Sequence, residues 1–157
     1  MKYYLAYGSN LNLMQMRRRC PDSRPVSQVE IKGWRLAFRT YLDIEPGKKT
    51  DRVICGLYLI SERDEAALDR YEGVGTSGRY EKVWLDLKIN GAQDKALIYI
   101  MKDQSYLSPC FPAYFDCVSW GFRDWGIAEG PLDKAHQRAV RAIEELDGNV
   151  VQARLAR

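Results

Sequence analysis

Tyr3-Tyr4-Leu5-Ala6-Tyr7-Gly8-Ser9-Asn10 is an apolar, strand-like run that breaks at a glycine, directly before a helix-like stretch beginning near Asn12. A strand that opens through a glycine turn into a helix start makes a site for anions. The first N–H groups there lack partners within the helix, and the positive end of the helix dipole adds to their field, so carboxylate or oxyanion oxygens can be held without lysine or metal. Gly8 permits close approach of a ligand to the backbone. The plain alternative is an ordinary turn in which Asn12 is the N-cap.

Some sixty residues later a second feature breaks a local rule. Ser61-Glu62-Arg63-Asp64 reads as a helix start with a capping-box pattern. Ala67, Leu68 and Tyr71 supply a short apolar face that ends at Gly73. Glu72 is thereby placed at a helix C-terminus, where a carboxylate meets the negative end of the dipole, and Tyr71 and Val74 beside it predict partial desolvation. Both effects raise its proton affinity. A glutamate tuned toward neutrality suits a general base that accepts a proton and hands it on, although solvated helix-end glutamates are also common. Departures from local rules collect at functional sites.

Outward from these two features the chain reads as strands first and helices last. Trp34 to Thr40 alternates at period two, and Val53 to Ile60 is a short apolar run typical of a more buried strand. Val83, Leu85, Leu87 and Ile89 alternate again before the turn signal Asn90-Gly91, and Ala96 to Met101 completes a hairpin. With Tyr3 to Ala6 and the weaker Val26 to Ile31, about six strands are expected. Phe115, Val118, Phe122 and Trp125 share a helical face, and a last helix is expected from Leu132 to Leu146, ending at Gly148. Asp43 to Asp51 and Asp103 to Pro112 read as loops within one domain covering residues 1–157. The order is α+β, and pattern alone permits either a partly open barrel or a curved sheet packed by helices.

Tyr7-Gly8-Ser9-Asn10-Leu11 followed by Leu68-Asp69-Arg70-Tyr71-Glu72-Gly73-Val74 resembles the γ-glutamylcyclotransferase-like (AIG2-like) family. Pro112-Ala113-Tyr114, a glycine at Gly121 or Gly126, and Gly130-Pro131-Leu132 echo the order of its later segments, so the resemblance spans Tyr3 to about Glu145. It implies a small mixed β-barrel flanked by helices, with the pocket at its mouth. It implies γ-glutamyl cyclotransfer: the α-amino group of a γ-glutamyl amino acid or amine attacks its own side-chain amide carbonyl, giving 5-oxoproline and a free amine. Glu72 is then the general acid/base. Tyr7, Gly8, Ser9, Asn10, Leu11 and Tyr114 are the implied substrate-binding residues, with Arg79 and Tyr80 as weaker candidates for the wall. No cofactor is implied. The chain departs from the pattern in the glycine-rich Gly73 to Tyr80 segment and in His136, where human-like members carry a tyrosine in the last helix; both bear on the leaving group.

Composition fits a small enzyme: 157 residues, 46% hydrophobic, formal net charge +3. That charge is too slight to argue for nucleic acid. The Arg17-Arg18-Arg19 cluster falls where the first helix should end, and cations are favoured there as a solvated helix end. Cys20, Cys55, Cys110 and Cys117 form no CxxC pair, so reduced thiols are expected, and one histidine with scattered cysteines gives no zinc-type ligand spacing. The opening apolar stretch is too short for a signal peptide, and a cytoplasmic protein with no membrane partner is expected. A homodimer is left open. Ser9 lacks a Gly-x-Ser-x-Gly elbow, and His136, the only imidazole, sits on the boundary of an apolar helix face, so a serine nucleophile is rejected. The alternatives to the cyclotransferase are a carboxylate-binding or regulatory module on the same pocket, and an acyltransferase or amidohydrolase. Glu72 weighs against a pure binder, because a carboxylate repels an anionic ligand.

Overall fold

A computed structural model describes residues 1–156. Seven strands and four helices follow in the order β1 (Lys2–Ala6), a 3-10 turn (Ser9–Leu11), α1 (Leu13–Arg19), β2 (Arg24–Lys32), β3 (Trp34–Arg39), β4 (Tyr41–Pro46), β5 (Arg52–Ile60), α2 (Glu62–Glu72), β6 (Tyr80–Ile89), β7 (Ala92–Met101), α3 (Pro112–Asp124) and α4 (Gly130–Leu155). The expected α+β class is found. Strands join as a five-stranded sheet, β2-β5-β1-β7-β6, and a separate hairpin, β3-β4; no hydrogen bonding among the described residues closes them into a barrel.

β1 lies at the centre of the sheet, antiparallel to β5 and parallel to β7. A strand covered on both sides must be apolar, and Tyr4, Leu5 and Ala6 are buried with Leu57 and Leu97 of its neighbours. The β6-β7 hairpin turns at Asn90 and Gly91, both at positive φ (51° and 82°), as the Asn-Gly pair predicts.

Two expectations are corrected. Tyr41–Pro46 is a strand, although the stretch from Asp43 was expected to be a loop. Its charges face inward because they are paired: Arg39 Nη1 donates to Asp43 Oδ2 at 2.9 Å, Met101 N–H donates to Asp43 Oδ1 at 2.9 Å, and Arg39 also pairs with Glu45. These bonds tie the hairpin to β7. The last helix does not stop at Gly148 but runs to Leu155. A lone interior glycine costs a helix only about 1 kcal/mol, and the residues after it form helix well enough to carry it on.

Candidate active site

The chain leaves β1 at Tyr7 and enters the 3-10 turn, so that Gly8, Ser9 and Asn10 line a cavity of about 340 Å³. Gly8 has φ −114°, outside the left-handed region. A Cβ there would stand in ordinary van der Waals contact, 3.6 Å from the Tyr114 hydroxyl and 3.8 Å from Leu42 Cβ, so packing does not exclude a side chain at this position. The turn is closed by Leu11 N–H donating to Gly8 O at 2.9 Å and Asn12 N–H to Ser9 O at 3.1 Å. Among the described residues, the N–H groups of Gly8, Ser9 and Asn10 donate to no protein acceptor. α1 begins at Leu13 with Asn12 as its N-cap, where the helix start was expected, but its first N–H groups are already engaged. There the side chain of Asn12 accepts from Gln15 N–H at 3.1 Å and Asp124 accepts from Leu13 N–H at 3.0 Å. The anion-binding capacity of the loop thus rests on its own unengaged N–H groups.

Glu72 is the last residue of α2, capped by Gly73 in the left-handed conformation (φ 72°). The helix starts with the predicted capping box of Ser61 and Asp64, and is pinned to the sheet by Lys82, which pairs with Glu65 and Asp69 at 2.7 Å each. Tyr99 Oη donates to Asp69 Oδ1 at 2.7 Å, a further tie to β7. So held, Glu72 opens into the cavity. Burial pushes its carboxyl up from the ordinary 4.5 to about 7, against the opposing pull of Arg19 and of the hydrogen bond from Asn10.

Asn10 connects loop and glutamate. Its Nδ2 donates to Tyr4 Oη at 2.8 Å and to Glu72 Oε1 at 3.4 Å, and its carbonyl accepts from Tyr58 Oη at 3.0 Å. Arg19 Nη1 donates to the Asn10 side-chain oxygen, and the same guanidinium lies 3.3 Å from the centroid of the Tyr71 ring. The expectation of a solvated arginine cluster therefore fits Arg17 and Arg18, which are exposed, but not Arg19. Its folding back behind the loop leaves no trace in spacing or composition.

Tyr114, on the first turn of α3, accepts from Leu42 N–H at 3.1 Å, which leaves its own hydroxyl proton to donate. Tyr80 Oη donates to Leu42 O at 2.8 Å, so the two phenols satisfy both backbone groups of a residue in the cavity wall. Tyr7 is buried in the wall and donates to Tyr99 O at 2.6 Å. Burial pushes the phenols of Tyr4, Tyr7, Tyr80, Tyr99 and Tyr114 above the usual tyrosine range, so near neutrality they are neutral donors.

The structure thus brings together Tyr7, Gly8, Ser9, Asn10, Glu72 and Tyr114, with Arg79 and Tyr80 in the same wall. Leu11 is the exception: its side chain is fully buried, its carbonyl accepts from Trp125 Nε1 at 2.9 Å, and it anchors the loop instead of lining the cavity. His136 lies apart, between the rings of Phe38 and Phe115 (centroids 5.2 and 5.1 Å away). Not foreseen as lining residues are Tyr4 and Tyr99, which read only as strand residues, and Tyr41 and Leu42, which fall between the expected strand ending at Thr40 and the expected loop beginning at Asp43.

A profile of the family described as gamma-glutamyl cyclotransferase, AIG2-like, matches residues 4–116. No curated protein sequence is significantly similar to the chain. Among solved structures, one described as gamma-glutamyl cyclotransferase superposes with a TM-score of 0.70 at 21% identity, covering 87% of this chain and 85% of its own. The human uncharacterized protein LOC79017 gives 0.70 at 22% identity over the same shares. YkqA from Bacillus subtilis gives 0.70 at 19% over 88% of this chain and 54% of its own, so this chain spans about half of that protein. These likenesses are of fold. The matched segment carries the Tyr7–Asn10 loop, Glu72 and Tyr114 and makes up most of the sequence, and on that ground the chain belongs to the gamma-glutamyl cyclotransferase, AIG2-like family.

Proposed function

We propose that the protein is a γ-glutamyl cyclotransferase with Glu72 as general acid/base. The observation that carries the reading is that one carboxyl, held at about 7, opens into the same cavity as the unengaged N–H groups of Gly8, Ser9 and Asn10. The solved structure described as gamma-glutamyl cyclotransferase supports it through shared fold.

The reaction needs no outside nucleophile. The α-amino nitrogen of the substrate attacks its γ-carbonyl carbon, the new C–N bond closes the lactam, and the old amide C–N bond breaks to release the amine. The α-ammonium gives up two protons on its way to the lactam N–H, one before attack and one after it, and the leaving nitrogen takes up one as it is expelled and a second as it becomes the free ammonium, so losses and gains match. One group can therefore serve both ends, and a carboxyl near neutrality is matched to both transfers; such a shuttle contributes typically about 10²–10⁴-fold. Holding the substrate folded supplies the rest of the organisation, since both reactants already share one molecule. The loop N–H groups receive the substrate α-carboxylate or the developing oxyanion, each well-aimed oxyanion donor contributing on the order of 3 kcal/mol. The Tyr114 hydroxyl proton is available to the same oxygens.

The acid limb of the rate profile tests the base. For the free enzyme, kcat/KM should rise with pH and level off above a midpoint of about 7, the value to which burial pushes Glu72. Arg19 lowers that value, so Arg19→Ala should move the midpoint upward. A midpoint near 4.5 in both proteins would remove Glu72 from the mechanism.

A further inference from the structure

Resting on that reading, we propose that Arg79 selects γ-glutamyl amino acids over γ-glutamyl amines by binding the carboxylate of the leaving group. Glu72 and Arg79 are the only Asp, Glu, Lys, Arg or His side chains that line the cavity among the described residues. Glu72 serves the proton transfers, which leaves Arg79 as a cation without an assigned partner.

Arg79 is exposed at the cavity wall, just after Gly78 and before β6. Its guanidinium carbon stands 4.9 Å from the centroid of the Tyr41 ring, and no carboxylate of the described residues lies within ion-pair distance of it. A ring face attracts the cation but engages few of its five N–H donors, so a steadied guanidinium remains free to bind a planar anion through two parallel hydrogen bonds. Tyr41 in turn packs edge-on against Tyr114, with centroids 5.2 Å apart, and the Tyr114 hydroxyl is next to Gly8. Arg79 is thereby set back from the loop by two aromatic rings.

A γ-glutamyl amino acid carries one carboxylate on each side of the scissile amide. The N–H groups at Gly8–Asn10 suit the one on the glutamyl half, and the displaced cation suits the one on the leaving half. A γ-glutamyl amine has no such second carboxylate. Binding the amino-acid substrate also places a negative charge in a cavity that already holds Glu72, and Arg79 offsets that repulsion.

The test compares γ-glutamyl-alanine with γ-glutamyl-ethylamide, whose leaving groups differ by that carboxylate alone. Binding of each is measured by titration calorimetry in a Glu72→Gln background, with Arg79 intact and with Arg79→Gln or Arg79→Lys; kcat/KM is measured in the corresponding chains with Glu72. Arg79→Gln should weaken the alanine compound by about tenfold to a hundredfold, leave the ethylamide within about twofold, and be partly rescued by lysine. Equal loss on both compounds, no loss on either, or no binding of either would overturn the proposal. A carboxylate-dependent loss of binding in a protein that turns over neither compound would uphold Arg79 and defeat the cyclotransferase reading alone.

Discussion

Glu72 is a carboxyl whose protonated form the fold favours, and the consequence for stability has a definite sign. Its folded value, about 7, lies above the 4.5 of an unfolded chain, so between those values the folded protein binds more protons than the unfolded one, and stability falls as pH rises through the window. Above about pH 7 the buried charge is carried at full cost. Glu72→Gln removes that charge and keeps the shape, and should stabilise the protein by about 1–3 kcal/mol at pH 8, with little change at pH 4.5. Denaturant unfolding at the two pH values checks this. Equal midpoints at pH 8 would mean that the carboxylate is solvated. The residue was legible in the sequence because a glutamate directly before a helix-ending glycine breaks a local rule. Arg19 was not, because its reach to Asn10 depends on a side chain folding back across a turn, and a helix-end arginine reads as solvated.

At the scale of elements, the cavity depends on how closely α3 approaches the 3-10 turn. A Cβ at Gly121 would stand 2.6 Å from Asn12 N and 2.7 Å from Leu11 Cβ. The first of these is backbone and the second belongs to a fully buried side chain, so neither gives way easily. Gly121→Ala should push α3 away from the loop and carry Tyr114, on the same helix, with it. The expected outcome is a loss of about 1–3 kcal/mol on unfolding together with weaker binding of γ-glutamyl compounds, and an unchanged midpoint would show that the helix shifts freely. Most elements could be read beforehand: β1, the alternation of β3 and β6, the Asn90-Gly91 turn and the Ser61 cap all follow period or turn chemistry. β4 escaped because Asp43 and Glu45 sit among its few residues, and charges read as loop unless their partners are known. The partner, Arg39, becomes visible only once β3 and β4 are paired. The end of α4 is not legible because Gly148 carries the signal that commonly ends a helix, whereas here the helix runs on through it to Leu155.

Across the whole molecule, the cavity gathers residues from β1, the 3-10 turn, the β3-β4 hairpin, the end of α2, the start of β6, β7 and α3. Asn10 and Glu72 meet across 62 positions of sequence. That distance explains what sequence could and could not provide: each motif is local and was visible, whereas the aromatic wall is a product of topology. Tyr4, Tyr99 and Tyr41 come from three strands whose adjacency no period reveals. Glu72 as the base of a cyclotransferase is tested most directly by release of 5-oxoproline from γ-glutamyl amino acids, γ-glutamyl amines and glutathione by the wild-type protein and by Glu72→Gln. A cyclotransferase with Glu72 as its base turns over at least one γ-glutamyl compound as wild type, and loses about 10²-fold or more in a Glu72→Gln protein that still folds and still binds that compound. Silence of the wild type across the panel, or undiminished turnover in Glu72→Gln, would contradict that role for Glu72.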